Sequence, residues 1–247
     1  MSSSPDGRVL AGGQTLLPLL RYGNDRPSDI VQISGLVPKG ISPTEGGLEI
    51  GAGSTHAEIA GSDVLRAKFP ALATLAAGVG DVQVRNRGTI GGALAAKDPA
   101  GEYACALLAH DALITTDRRT ISADRFLSPD HDTVLEPSEI ILKVEFQTAE
   151  WAAYHKFLDP AAQWPMAGVY VSRIAESWRV AVTAVHQQGP YREVLAEQAL
   201  QAWDRTGPIP TIGFDTRMFR NTPMADPEYR ANLVQVLLRH CLEELED

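Results

Sequence analysis

Two glycine pairs constrain this chain more than any other feature. Gly12-Gly13 stands in Val9–Pro18 (VLAGGQTLLP), and Gly91-Gly92 stands in Arg87–Ala93 (RGTIGGA). Glycine takes positive φ freely and lets another chain segment or a ligand approach the backbone closely. A tight loop running from a strand into a helix aims several N–H groups one way, at the positive end of the helix dipole. Such a nest holds phosphate without lysine. Thr89 adds a hydroxyl beside the second pair. For either pair taken alone, a turn or bulge with no ligand is an equal reading.

The surrounding pattern mixes helix and strand. Arg8–Ala11 reads as a short buried strand, QTLLPLLRYG as a short helix, and Asp29–Ser34 and Gly47–Gly53 as strands. Thr55 with Glu58 three residues on is a capping box that opens a helix. VLRAKFPALATLAAGV continues helically with a break near Pro70. EYACALLAHDAL reads as a buried helix and LITT as a strand. Glu139–Phe146 places Ile140, Leu142, Val144 and Phe146 on one face and Lys143 and Glu145 on the other, the period of a half-buried strand. Composition shifts near Thr148–Trp151, which divides the chain into residues 1–148 and 149–247. Beyond the shift, GVYVSRI and WRVAVTAV read as two strands joined by a polar turn, and YREVLAEQALQAW as an amphipathic helix. A closing helix is capped by Asp226 with Pro227 in its first turn, and Leu233, Val236, Leu237 and Cys241 make its stripe.

Bulk properties exclude several functions. A formal charge of −9 argues against a general nucleic-acid surface. Two cysteines, Cys105 and Cys241, cannot hold an iron–sulfur cluster or a structural zinc, and they imply no disulfide framework, which points to the cytoplasm. The polar start MSSSPDGRVL has no signal-peptide pattern, and no apolar run has the length of a membrane span. The six histidines have no metal-ligand spacing. Asp130–Asp132 and HDALITTDRR read as solvated loops rather than acid–base pairs. GAGSTH and GVGDVQ both lack the third glycine of a dinucleotide fingerprint, which weighs against a Rossmann-type nicotinamide site.

The combination of motifs is far more specific than either pair. LAGGQTLLPLL, IGAGSTHAEI and FPALATLAAGVGDVQVRNRGTIGGALAAKDPA, in this order and spacing, resemble the FAD-binding subunit of the molybdenum hydroxylases. That family includes the medium subunit of carbon monoxide dehydrogenase and the FAD domain of xanthine dehydrogenase. The resemblance implies an α+β fold: a bipartite FAD-binding domain of the PCMH, or vanillyl-alcohol-oxidase, type, followed by a small α/β domain with a three-stranded sheet. It implies that the FAD pyrophosphate lies on Ala11, Gly12, Gly13, Gln14 and Thr15, with Leu10 and Leu16 beside them. Thr89, Ile90, Gly91, Gly92 and Ala93 would form a second loop meeting the phosphates and the flavin side, with Arg85 and Arg87 balancing charge or holding that loop. Thr55 and Val79 would lie near the cofactor, Ile140 or Ile141 would touch it through the backbone, and Lys156 would sit close to the flavin ring. No side chain need act as acid or base. The implied partners are a large molybdopterin-binding subunit and a small 2Fe–2S subunit, assembled as a dimer of heterotrimers, with NAD or another electron acceptor.

The sequence also departs from the family pattern. The family carries a further strand and helix ahead of the first pair, where this sequence has only about a dozen residues. After the second pair the family often reads AHADPAAD, and this sequence reads AAKDPAGE. Ala96 stands for histidine, Lys97 for a small residue, and Glu102 for an aspartate that bonds the cofactor. Ala93 stands where serine or asparagine is common. These departures leave open a second reading, a flavin-free scaffold or ligand-binding descendant of the subunit.

Overall fold

The computed structural model describes residues 6–127, 134–161 and 164–245. Asp130–Asp132, with His131 among them, lie outside the described residues. The chain opens with β1 (Arg8–Leu10), α1 (Leu16–Arg21) and β2 (Ile30–Gln32). The two strands pair in parallel, Val9 opposite Val31. No residue of α1 is buried, so this unit gains little from apolar packing and relies on its contact with the larger body.

That body follows as β3 (Ile41–Pro43), β4 (Gly47–Gly51), α2 (His56–Gly61), α3 (Asp63–Lys68), α4 (Pro70–Ala77), α5 (Val82–Arg87), α6 (Ile90–Ala95), α7 (Glu102–Ala109), β5 (Leu113–Thr116), β6 (Thr120–Ser122), α8 (Ala123–Phe126) and β7 (Ile141–Gln147). Its antiparallel sheet has the order β3-β4-β7-β5-β6. The expected capping box forms at Thr55 and Glu58, and Pro70 restarts the chain as the first residue of α4, where its missing N–H is harmless. Leu48, Ile50, Ile59, Leu72, Leu75, Leu107, Val144 and Phe146 form the centre of the core. The alternation expected for β7 holds at Val144 and Phe146 but not at its start, where Ile141 is buried and Ile140 and Leu142 are only half-buried. Thr115 faces Lys143 while Thr116 faces Ile141, so Leu142 is an extra residue and shifts the pattern by one.

The remainder comprises β8 (Trp151–Leu158), β9 (Pro165–Ile174), β10 (Ser177–Thr183), β11 (Tyr191–Arg192), α9 (Val194–Ala202) and α10 (Pro227–Glu243). The sheet has four strands in the order β11-β10-β9-β8, rather than the three expected, the fourth being only two residues long. Ala175 and Glu176 turn the β9–β10 hairpin at φ +47° and +65°. Tyr170 of β9 joins the first core, while Val169 and Val171 join a second core with Leu200, Leu237 and Cys241. With α7 on one face and α10 on the other, β9 is buried along nearly its whole length. The buried stripe of α10 runs through Leu233, Val234, Leu237, Leu238 and Cys241; Val236 stands at its edge, half-buried.

Candidate functional site

The first glycine pair forms the turn between β1 and α1. Gly13 has φ +79°, and a Cβ there would lie 2.7 Å from Leu17 Cδ1. A Cβ on Gly12 would collide with the Arg87 carbonyl, 2.8 Å from its carbon and 3.0 Å from Gly88 Cα. The turn is anchored behind by Ile33 N–H donating to Leu10 O (2.9 Å) and Leu17 N–H donating to Gly13 O (3.0 Å). Among the described residues, no acceptor meets the N–H groups of Ala11, Gly12, Gly13, Gln14, Thr15 or Leu16. Thr15 leaves α1 without a side-chain cap. Six consecutive main-chain donors at a helix start are thus unbonded within the described protein and reachable from solvent, since none of these residues is buried.

The second pair differs from the expected loop. Thr89 is the N-cap of α6, and Gly91 and Gly92 lie in its first turn. Their donors are taken by the protein: Ile90 N–H by Ser54 O (3.1 Å), Gly91 N–H by Ala52 O (2.9 Å), Gly92 N–H by Thr89 Oγ1 (3.2 Å) and Ala93 N–H by Thr89 O (2.9 Å). Glycine is needed at 91 for packing, because a Cβ would lie 2.7 Å from Ala52 Cβ and 2.9 Å from Ala52 O. Thr89 keeps its own N–H free of acceptors among the described residues. Thr55 sits opposite Thr89 in an isolated bridge, but its N–H and hydroxyl both serve Glu58, at 2.7 and 3.0 Å. The two pairs do converge: Gly12 packs on the Arg87–Gly88 peptide, and Ala11 Cβ lies 4.0 Å from a Cβ position at Gly92.

Glu102 and Lys156, residues of α7 and β8, meet each other. Lys156 Nζ donates to both Glu102 oxygens, at 2.9 and 2.7 Å, and to Gly78 O at 2.7 Å. Tyr154 donates its hydroxyl proton to Glu102 Oε2 at 2.7 Å. Burial raises the Glu102 pKa, and Lys156 opposes it. The longer side chain of glutamate thus goes into a salt bridge, with side-chain exposures of 9% and 14% for Glu102 and Lys156. Replacing Lys156 with methionine strands this carboxylate; urea unfolding at neutral pH should register a loss of about 3 kcal/mol. The deficit relative to wild type shrinks on acidification, as the carboxyl takes up a proton. Ala93, Leu94, Lys97, Glu102, Gln188 and Gly189 line a cleft beside this pair.

The other expected residues are engaged within the protein, and Ile140 has no main-chain group left for the backbone contact with the cofactor that the resemblance implies. Val79 follows Gly78, and its carbonyl receives Arg85 Nη1 at 3.2 Å, with Gly80 O at 2.7 Å, so Arg85 staples the α4–α5 turn. Ile140 has both main-chain groups bonded to Asp117, each at 2.9 Å, and Ile141 is buried in the core. Next to them, Leu142 O receives Ala52 N–H at 2.8 Å, which ties the start of β7 to the turn after β4 on which Gly91 packs. His56, Gly88 and Tyr103, passed over in the sequence, complete the floor: the His56 ring stacks on Tyr103 and lies against Gly88. Among the described residues, no group of three His, Cys, Asp or Glu is placed to hold a metal, and no helix is long and apolar enough to cross a membrane.

Residues 1–146 match the family described as the FAD binding domain in molybdopterin dehydrogenase. The chain belongs to this family. It is 30% identical to the nicotine 6-hydroxylase medium subunit of Paenarthrobacter nicotinovorans, with 99% of this chain and 91% of that one covered. It is also 30% identical to the carbon monoxide dehydrogenase medium chain of Hydrogenophaga pseudoflava, over 80% and 76% of the two chains. The fold matches quinoline 2-oxidoreductase from Pseudomonas putida 86 with a TM-score of 0.83 at 24% identity, covering 98% and 90%. A family member of this kind is an oxidoreductase subunit with FAD as its cofactor. The residues present fit that cofactor: a diphosphate takes several convergent neutral donors, and the Ala11–Leu16 turn offers a run of them.

Proposed function

We propose that this chain is the FAD-carrying electron-transfer subunit of a molybdenum hydroxylase complex. Residues 1–148 form the cofactor domain and residues 149–247 the smaller domain. The observation that carries the reading is the run of unpaired N–H groups from Ala11 to Leu16, set against the α5–α6 junction through Gly12. Ala11, Gly12, Gly13, Gln14 and Thr15 hold the diphosphate, and Leu10 and Leu16 flank it. Thr89 adds its N–H and hydroxyl. Ile90, Gly91, Gly92 and Ala93 act by packing, placing Thr89 opposite the first turn. Thr55, Val79, Ile140 and Ile141 border the site, and the Glu102–Lys156 pair sets its charge on the side facing β8. When bound, FAD supplies the reversible electron chemistry, and the protein supplies position and electrostatics.

The partners follow from what the chain itself carries. Both cysteines are buried and directed at main-chain carbonyls, Cys105 toward Ala181 O and Cys241 toward Val169 O. Neither thiol is placed to ligate a cluster, and relatives named as medium subunits support cluster thiolates carried on a separate subunit. Electrons would originate on a large molybdopterin-binding subunit, pass through a small 2Fe–2S subunit and leave to NAD or another acceptor. The complex would be a cytoplasmic dimer of heterotrimers. The test is direct: the purified chain should be yellow and release about one flavin per chain on denaturation. A colourless protein that also refuses added FAD contradicts the reading and favours a flavin-free scaffold.

A further inference from the structure

His56, the first residue of α2, is only 3% exposed. Its N–H donates to Gly88 O at 3.0 Å, and its ring Nε2 would stand 2.6 Å from a Cβ at Gly88. Gly88 is also the residue on which Gly12 rests, with 3.0 Å between Gly88 Cα and a Cβ position at Gly12. From the α7 side, the Tyr103 ring stacks on the imidazole with centroids 5.2 Å apart, and its hydroxyl lies 3.1 Å from Nδ1. Tyr103, His56, Gly88 and Gly12 thus form one continuous stack, from the buried helix α7 to the turn that carries the free donors.

The stack uses imidazole chemistry as well as imidazole volume. Burial, and then Arg85, keep the ring neutral. Burial keeps the Tyr103 proton in place. If Nδ1 were the donor, both the Tyr103 proton and the Nε2 lone pair would go unmet among the described residues. With Tyr103 donating to Nδ1, only Nε2–H is left, which assigns the ring proton to Nε2. An apolar side chain of similar size would fill the space but leave the Tyr103 hydroxyl buried without an acceptor, and the stack would slacken.

We propose that His56 is a positioning residue of the cofactor site. Held from behind by Tyr103, it fixes the height of the Arg87–Gly88 peptide, and through Gly12 the placement of the Ala11–Leu16 donors. The inference rests on the FAD reading above. The experiment is an FAD titration of apoprotein for wild type, His56→Leu, His56→Gln and Tyr103→Phe, with thermal unfolding of each apoprotein alongside. His56→Leu should weaken FAD by about tenfold or more, His56→Gln should stay within about threefold of wild type, and Tyr103→Phe should fall between them. FAD affinity unchanged in His56→Leu overturns the proposal, as does a His56→Gln as weak as His56→Leu, because the ring would then be mere filler. Should His56→Leu not fold, Tyr103→Phe decides: affinity equal to wild type overturns the proposal. A wild-type protein that takes no FAD sinks the parent reading and this inference together. Wild-type binding with unaltered variants sinks this inference alone.

Discussion

Replacing Gly12 with valine should empty the protein of FAD. The β-carbon has nowhere to go, because its position falls on the Arg87 carbonyl, a main-chain group fixed by α5 and α6. Overpacking against a side chain is relieved by a rotamer change; against a peptide it moves the backbone, at a cost of about 1–3 kcal/mol. Here the segment that moves is the β1–α1 turn, the more weakly held of the two, since α1 buries nothing. The donors leave their alignment, and FAD affinity drops by about a hundredfold. Folding should survive, because the main core lies elsewhere. Gly35→Ala is the matched control: a Cβ there meets nothing within 4 Å, and flavin occupancy should not change. Gly91→Ala should behave differently, losing stability together with flavin, since its β-carbon would press on Ala52 beside the main core.

The second large effect is a loss of stability in mild acid. His56 and His110 are 3% and 1% exposed, and burial lowers the pKa of each to about 4. His110 donates from Nδ1 to Gln147 O at 2.8 Å, so its Nε2 accepts the Tyr170 hydroxyl at 3.0 Å; neither nitrogen has room for a second proton. Unfolded imidazoles take up protons below about pH 6.5, whereas the folded ones do so only near 4. Between these values the unfolded chain binds more protons, so stability falls as pH falls. At pH 5 the loss is about 2 kcal/mol for each histidine. Urea unfolding at pH 7 and pH 5 measures it. His110→Gln, which cannot titrate, should be less stable at pH 7 yet lose roughly half as much on acidification. An unchanged slope would mean that His110 is not the group responsible.

Much of this architecture is legible in local chemistry. The capping box at Thr55 and Glu58 and the helix restart at Pro70 each depend on neighbours within a few residues, and both form as read. The first glycine pair is legible for the same reason: strand, positive φ and helix follow one another directly. The second pair was harder to read. Glycine permits a bare loop and a closely packed helix start alike, and what decides between them is Ala52, distant in sequence. The extra residue at Leu142 depends on the partner strand β5, so the alternation of β7 alone could not reveal it. Strand β8 is hidden because His155 and Lys156 interrupt its apolar residues, and Lys156 is drawn largely out of solvent only because Glu102 waits on helix α7. His56 looked like any histidine until the fold placed Tyr103 behind it.

The most direct measurement of the central claim is residue-resolved amide hydrogen exchange with and without FAD. The free protein should exchange rapidly at Ala11 to Leu16, whose N–H groups have no acceptor among the described residues. Saturating FAD should slow these amides and that of Thr89. Ile90 to Ala93, already bonded within the protein, should change far less. Exchange at Ala11–Leu16 that is indifferent to bound FAD, with protection appearing elsewhere, would contradict the account.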